Sequence, residues 1–498
     1  MQVFYNIYKM YHQPSKRRQQ IKLFLTYCLM VTAVVGIVSV LVLLIQGYRY
    51  DGKIERDGLV HLNSRPTGAK ITIDGQENRS QTSTRLTLPE GEHHFEMSRE
   101  GYRSWKKTEN LDGGTILWLN YARLIPNELK LEMVDELDES VVSSLASPND
   151  EKYAVLKFDD GLQLDLYDIR GDSPSKKTLK LNSESVSAST DINQKFSLMS
   201  WSEDSRYLLV KHSFDKTTQW LVLDTRSDRD NVVNINTLLG VAPSKVEFRP
   251  SNSRQLYILE QGNLRRADIG SETMTGPMAR TVGEFSVASD GMITFVGTQM
   301  NEGAKVRVVG YVTDGSSRSQ VLRTFTNQED DTIKVASGRY FSERYLTLVV
   351  GKKLEILKAD LANSDDSDGK SSLTLKNSET LKSGDALDVT MRTKGRFGVV
   401  QFADSFATYD IELEKFSVTP LSGKKSNSPL SWIDSYMMWH NTGETLMLYE
   451  FDGKNPQNIV PVANGHDVTL SPNGKYMYVV TETDEGALHL SQIRMVLN

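Results

Sequence analysis

The sequence predicts a mainly β chain behind one N-terminal transmembrane helix. Three observations predict it. Residues Leu23 to Ile45 contain 23 residues without a charge. Downstream, apolar residues alternate in short bursts separated by tight turns, with no helical period sustained beyond two or three turns. And from about Leu129 onward one turn-and-strand unit recurs to the end of the chain.

The apolar segment reads LFLTYCLMVTAVVGIVSVLVLLI. At about 1.5 Å per residue it crosses a hydrocarbon layer of roughly 30 Å with some tilt. Thr26, Thr32 and Ser39 can bond back to the preceding helical turn. The 22 residues before it carry Lys9, Lys16, Arg17, Arg18 and Lys22 and no acid, while the residues after it are of mixed charge. The positive-inside rule makes Lys16, Arg17, Arg18 and Lys22 the topology-determining groups. Residues 1–22 are then a cytoplasmic arm, 23–46 the membrane helix, and the bulk of the chain is extracytoplasmic, anchored to the cytoplasmic membrane of a bacterial cell. A cleaved signal peptide would have a shorter apolar core and a small-x-small site; Gln46-Gly47-Tyr48-Arg49-Tyr50 offers none.

Composition limits the remainder. The only cysteine, Cys28, lies in the apolar segment, so no intramolecular disulfide can form and the fold relies on core burial and sheet pairing. A net charge of −6 argues against a nucleic-acid surface.

Residues 58–125 form a first β unit. Leu59 to Leu62 alternate weakly, and Asn63 to Ala69 interrupt them. Lys70 to Ile73 is a strand, Asp74-Gly75 a two-residue hairpin turn, Arg85 to Leu88 a further strand, Pro89 to Glu92 a turn, and His93 to Met97 a return strand. This is the pattern of a small β-sandwich. Ser64, Pro66, Gly68, Ala69, Asp74 and Gly75, then Pro89 and Gly91, then Gly101 and Tyr102, stand in the order of the PEGA domain, and this stretch resembles that family. Glu92 departs from it, standing where the eponymous motif has alanine. The resemblance implies an anchored bacterial or archaeal surface protein, gives these ten residues structural roles, and implies no catalytic residue.

Residues 129–498 carry the repeat. Its turns fall at Ser147-Pro148-Asn149-Asp150, Trp201-Ser202-Glu203-Asp204-Ser205, Phe248-Arg249-Pro250-Ser251, Ala288-Ser289-Asp290-Gly291, Ser342-Glu343-Arg344, Lys394-Gly395-Arg396, Ile433-Asp434-Ser435 and Ser471-Pro472-Asn473-Gly474, each leading into an apolar strand. Units spaced roughly 37 to 55 residues apart, of about four strands each, are blades of a β-propeller. The count is seven or eight, because Leu129 to Val134 can complete the last blade. In the Ser-Pro-Asn-Gly turn, proline fixes the first position and Asn473-Gly474 supplies positive φ. Ser471-Pro472-Asn473-Gly474-Lys475 resembles the S-P-D-G-K signature of TolB-type and WD40-like blades, although the Trp-Asp and Gly-His pair of strict WD40 repeats is absent. A polar run at 361–385 reads as a mobile surface loop between blades.

The chain offers no local catalytic motif. Asp366-Ser367-Asp368-Gly369 has Ser364 and Leu375 where an EF-hand needs acids. His93 and His94 alternate across a strand and cannot share a metal. Neither H-E-x-x-H, G-x-S-x-G nor a P-loop occurs. Ser202-x-Asp204 has Arg206 where a sialidase-type Asp box has glycine. Trp201 and Trp432 occupy equivalent places and read as core between blades rather than as a sugar platform. No catalytic residue, cofactor or metal is expected. The expected role is an anchored, non-enzymatic propeller presenting a recognition face to envelope protein or glycan partners. The alternative is a hydrolase or lyase of envelope polysaccharide or peptide, its side chains gathered from several blades at the central channel.

Overall fold

The computed structural model describes residues 16–45, 48–50, 54–159, 161–182, 186, 194–326, 332–382, 386–392, 395–422, 429–483 and 485–497. Most of the basic arm, residues 1–15, lies outside them, as does Gln46 at the end of the expected membrane helix. Two compact units divide the chain, 1–124 and 125–498.

The first unit begins with a 30-residue helix, Lys16–Ile45. Leucine, valine and isoleucine side chains along it are 44–72% exposed, so none of the described residues covers them. Thr26, Thr32 and Ser39 donate to the carbonyls of Lys22, Cys28 and Val35, each at 2.8 Å, which satisfies three hydroxyls that would otherwise be costly in an apolar medium.

Two four-stranded sheets follow. In one, Ile54–Arg65 pairs with Tyr48–Tyr50, antiparallel with Thr84–Pro89, and parallel with Ile116–Arg123. The other runs Gln76–Gln81, Lys70–Ile73, Gly91–Ser98, Trp105–Leu111. Alternate residues of both face a common core that buries Val60, Leu62, Ile71, Phe95, Met97, Trp105 and Leu119 to 2% exposure or less. The expected interruption at Asn63 is found in the pairing rather than as a strand end: the ladder with Thr84–Pro89 stops at Leu62 and the register against Ile116–Arg123 shifts between Leu62 and Ser64, while the strand itself continues to Arg65.

The second unit is a run of eight four-stranded antiparallel sheets among the described residues. Blade 1 is Val141–Ala146, Lys152–Phe158, Leu162–Asp168 and Ser175–Lys180. Blades 2 to 7 occupy 195–234, 245–274, 282–325, 333–380, 388–420 and 431–458. Blade 8 takes Thr469–Leu470, Tyr476–Glu482 and Leu488–Arg494, and borrows Leu131–Leu137 as its fourth strand. Each turn read as a repeat joins the first strand of a blade to its second.

Every blade packs on the next. Apolar clusters join blades 1 and 2, 2 and 3, 3 and 4, 4 and 5, 5 and 6, and 7 and 8. Between blades 6 and 7, Phe397 stacks on Trp432 and Phe451 with centroids 5.8 and 4.5 Å apart. A further cluster places Tyr153 of blade 1 against Tyr478 of blade 8. The Ala146 N–H there donates to Asp467 Oδ2 at 2.9 Å, and the Tyr153 hydroxyl to the Asp467 carbonyl at 2.6 Å. Eight seams that return to the start make a closed eight-bladed propeller.

The expected loop at 361–385 is corrected in part. Ser372–Thr380 is the outer strand of blade 5, paired along Lys353–Asp360. Its polar sequence reflects an outer position, with most side chains facing water. Ser364, within the same run, is buried and bonds to Thr313 of blade 4. Residues 383–385 fall outside the described set.

Candidate functional site

Three of the repeated turns, in blades 1, 2 and 8, share one local mechanism. In blade 8 the Ser471 hydroxyl accepts from the Tyr476 N–H at 3.0 Å and donates to Asn473 Oδ1 at 2.8 Å, while Asn473 Oδ1 accepts from the Lys475 N–H at 2.9 Å. Ser147 and Asn149 of blade 1, and Ser202 and Asp204 of blade 2, do the same. The fourth turn residue has positive φ: 68° at Gly474, 56° at Asp150 and 52° at Ser205. Asn473 was expected to share that conformation and does not. Its amide acts as a hydrogen-bonded brace instead.

The turns of blades 1 to 4 come together at one end of the propeller, with Arg392 of blade 6. A cavity of about 510 Å3 opens there, within the range of about 300–1,000 Å3 typical of ligand sites. Blade 1 contributes Pro148; blade 2 Met199, Trp201 and Glu203; blade 3 Lys245, Glu247, Phe248 and Pro250; blade 4 Val287 and Ser289. Arg392 comes from blade 6. In a closed ring of eight, blades 3 and 6 can share a cavity only across the channel.

The charges in the cavity are unevenly committed. Lys245 Nζ lies 2.7 Å from Glu247 and donates to the Phe285 carbonyl at 2.6 Å. Enclosure by the walls pushes the Glu247 carboxyl above its ordinary pKa, and Lys245 opposes this only in part. Arg392 is exposed to the cavity and has no acid within ion-pair distance among the described residues. The surrounding protein draws its pKa below the ordinary guanidinium value, with Asp388, four residues back on the same strand, pulling the other way.

Trp201 is 7% exposed and belongs to the core between blades 1 and 2, its Nε1 donating to the Leu145 carbonyl at 3.3 Å. Only part of its ring reaches the cavity wall. Trp432 stacks in the seam between blades 6 and 7 and takes no part. The sequence reading missed Lys245, Glu247 and Arg392. For the first two the signal was available: Lys245-Val246-Glu247-Phe248-Arg249 alternates charged and apolar residues in a first strand, its apolar members buried and its charged ones half-buried.

Among the described residues no group of three or more His, Cys, Asp or Glu side chains is placed to hold a metal. Another hollow, of about 410 Å3, flanks blade 1, but Lys157 at its wall is already held between Asp138 at 2.9 Å and Asp165 at 3.1 Å.

In the first unit the motif residues build turns. Asp74 and Gly75 both have positive φ, 51° and 81°, as a two-residue hairpin turn requires. Gly68 and Gly101 also have positive φ, and Ala69 and Tyr102 are buried. Thr82 Oγ1 accepts from the Ala69 N–H and bonds to Ser64, closing the Pro66 bend. Asp74 reaches two neighbours: Oδ1 accepts from the His94 N–H at 2.8 Å, and Oδ2 is 2.7 Å from His93 Nδ1. His93 Nε2 is 2.8 Å from the Pro89 carbonyl. Lys16, Arg17, Arg18 and Lys22 lie in the first two turns of the N-terminal helix.

Comparison with known proteins adds the following. Residues 58–124 match the PEGA domain family. No curated protein matches the chain. Among solved structures, the β-propeller domain of Cps50 (Swd1) from Myceliophteria thermophila is 14% identical, covering 74% of this chain and 100% of that one, with a TM-score of 0.39. Dipeptidyl peptidase 4 from Porphyromonas gingivalis is 11% identical over 73% of this chain and 58% of its own, with a TM-score of 0.46. Apo AztD from Citrobacter koseri is 10% identical over 79% and 96%, with a TM-score of 0.40. At such identities the likeness is one of fold alone.

Proposed function

We propose that this protein is a membrane-anchored, extracytoplasmic binding protein whose propeller takes envelope protein or glycan partners at the channel mouth. The carrying observation is the cavity of about 510 Å3 where four consecutive blades and Arg392 of a fifth converge. Its largely apolar wall with a few fixed polar groups is the composition of a recognition site. The exposed apolar helix and its basic flank support the anchor and its inside-to-outside direction. The first unit then acts as a spacer at the membrane. Affinity capture from solubilised envelope tests this reading: partner retention by the wild-type chain that falls on substituting cavity residues supports it, and retention indifferent to the cavity overturns it. Protease treatment of intact cells should cleave the propeller but leave residues 1–22 protected.

A hydrolase or lyase is the second reading, and one observation favours it. Glu247, its carboxyl raised by enclosure, sits at the channel beside Lys245 and opposite Arg392, the environment of a general acid. Release of reducing ends or new peptide termini from envelope material, abolished by Glu247→Gln, would establish it over simple binding.

A further inference from the structure

The channel mouth carries more information about its occupant than the general reading uses. Arg392 is the one cation among the described lining residues that is not already paired, since Lys245 is spent on Glu247 and the Phe285 carbonyl. A guanidinium in a concave site with no acid in direct ion-pair contact, Asp388 acting on it only at longer range, gains strongly from a planar, bidentate anion.

Two further features narrow that anion. Glu203 stands exposed on the blade 2 rim, and Asp388, four residues before Arg392 on the same strand, adds a second negative charge nearby. A single negative charge placed at Arg392 is tolerated there; a phosphate or a run of acids is repelled. The walls argue against a stacked sugar ring. Trp201 and Trp220 are 7% and 3% exposed, so neither presents an open face. Met199, by contrast, is 46% exposed beside Pro148, Pro250 and Val287. A flexible thioether among aliphatic groups accommodates an aliphatic or aromatic side chain of variable shape.

We propose that the cavity binds a peptide segment in which one carboxylate stands beside an apolar side chain, with Arg392 gripping the carboxylate and the Met199 wall receiving the side chain. This rests on the channel mouth being a binding site. The carboxylate has two possible sources, a free C-terminus or an internal acidic residue.

The test uses the full-length chain in detergent and equilibrium dialysis with mass-spectrometric readout. Four probes are compared: N-acetylated tripeptides of apolar residues as free acids, the same as amides, amide-ended tripeptides containing one glutamate, and oligouronates. The expected result is at least tenfold greater retention of the free-acid or the glutamate pool than of the neutral amides, and which of the two wins identifies the source. Arg392→Gln should remove that difference, Arg392→Lys should keep part of it, and Glu203→Gln, which removes a repelling charge from the rim, should increase it. Because Arg392 is exposed, the variants should keep the wild-type circular dichroism and Tm. Absence of carboxylate-dependent retention, or retention unchanged in Arg392→Gln, overturns the proposal. Arg392-dependent retention of oligouronates without peptides overturns the peptide assignment yet leaves the channel mouth as a site. Failure of the broader reading is separate: envelope partners would then be captured independently of the cavity.

Discussion

At the scale of single residues, the chemistry that recurs in blades 1, 2 and 8 is a serine whose hydroxyl holds the turn between two strands. In blade 8 the Ser471 hydroxyl accepts from the N–H of Tyr476, which is 3% exposed. Ser471→Ala leaves that donor without its partner and should cost about 1–2 kcal/mol. Gly474→Ala forces a Cβ into left-handed backbone at φ 68° and should cost a further 1–2 kcal/mol or so. Urea denaturation of the two variants measures both; loss below about 0.3 kcal/mol for either would contradict the account. His93 gives a pH-dependent case. Burial alone would lower its pKa, but the Pro89 carbonyl and the Asp74 carboxylate both bond to its ring and raise it. Two acceptors demand two ring protons, so the imidazolium is the form the site favours. The stabilisation is fully present below the unfolded value of about 6.5 and is lost as pH rises through the higher folded value. Asp74 is shifted down, chiefly by the His94 N–H and then by His93, so its contribution holds above about 3.9 and fades as pH falls below it. The stability gap between wild type and His93→Gln should therefore be wide near pH 6 and narrow by pH 9, read from thermal unfolding of the first unit. A gap that grows with pH would refute the pairing.

Among elements, second strands were legible in the sequence and fourth strands were not. Each second strand follows a turn with a mechanism and is apolar on both faces, as in Lys152–Phe158 and Tyr476–Glu482. Outer strands such as Ser175–Lys180 and Ser372–Thr380 have one neighbour and mostly exposed side chains, so their composition is that of a loop. Arg392, unlike Lys245 and Glu247, was illegible for another reason. Arg392 meets the blade 3 wall only through ring closure, at a separation no local pattern encodes. Outer strands are also where charge is used structurally. Asp165, with a fully buried side chain, lies 3.1 Å from both Lys157 and Lys176, and Thr178 donates to it at 2.6 Å. Burial alone would raise its pKa, but Thr178 and the two lysines hold it below the usual carboxylate range. Lys176 also reaches Asp135 at 2.6 Å, and Lys157 reaches Asp138 at 2.9 Å. The network therefore ties blade 1 to the strand that completes blade 8. Asp165→Ala removes the acid the two lysines share, leaves each with one partner, Asp138 or Asp135, and should destabilise the propeller by about 1–2 kcal/mol, with the effect shrinking as acid protonates the wild-type carboxylate. A Tm equal to wild type at pH 7 would show the network to be dispensable.

For the molecule as a whole, the decisive joint is the one between the first and last blades. Leu131–Leu137 lies ahead of blade 1 in sequence yet pairs with Leu488–Arg494, from Ile493 opposite Leu131 to Leu488 opposite Leu137. This is why the sequence left seven and eight blades open: a count of repeats cannot tell whether the first strand opens a blade or finishes one. The closure has an energetic consequence. Leu137 is 2% exposed and packs with Tyr153, Tyr167, Tyr478 and Leu490, so the strand both covers a sheet edge and seals a seam. Without it Leu488–Arg494 presents unpaired backbone groups beside an open apolar cluster, the combination that drives edge-to-edge association. Residues 126–498 expressed alone should therefore be monomeric and unfold in a single transition, because every blade has two neighbours. Residues 138–498, shorter by the closing strand and the segment leading to it, should aggregate or unfold at least about 10 °C lower, with early proteolysis in blades 8 and 1 rather than in blades 3 to 6. Size-exclusion chromatography and limited proteolysis of the two chains decide it, and equal Tm values with intact monomers would show that the ring does not depend on its borrowed strand.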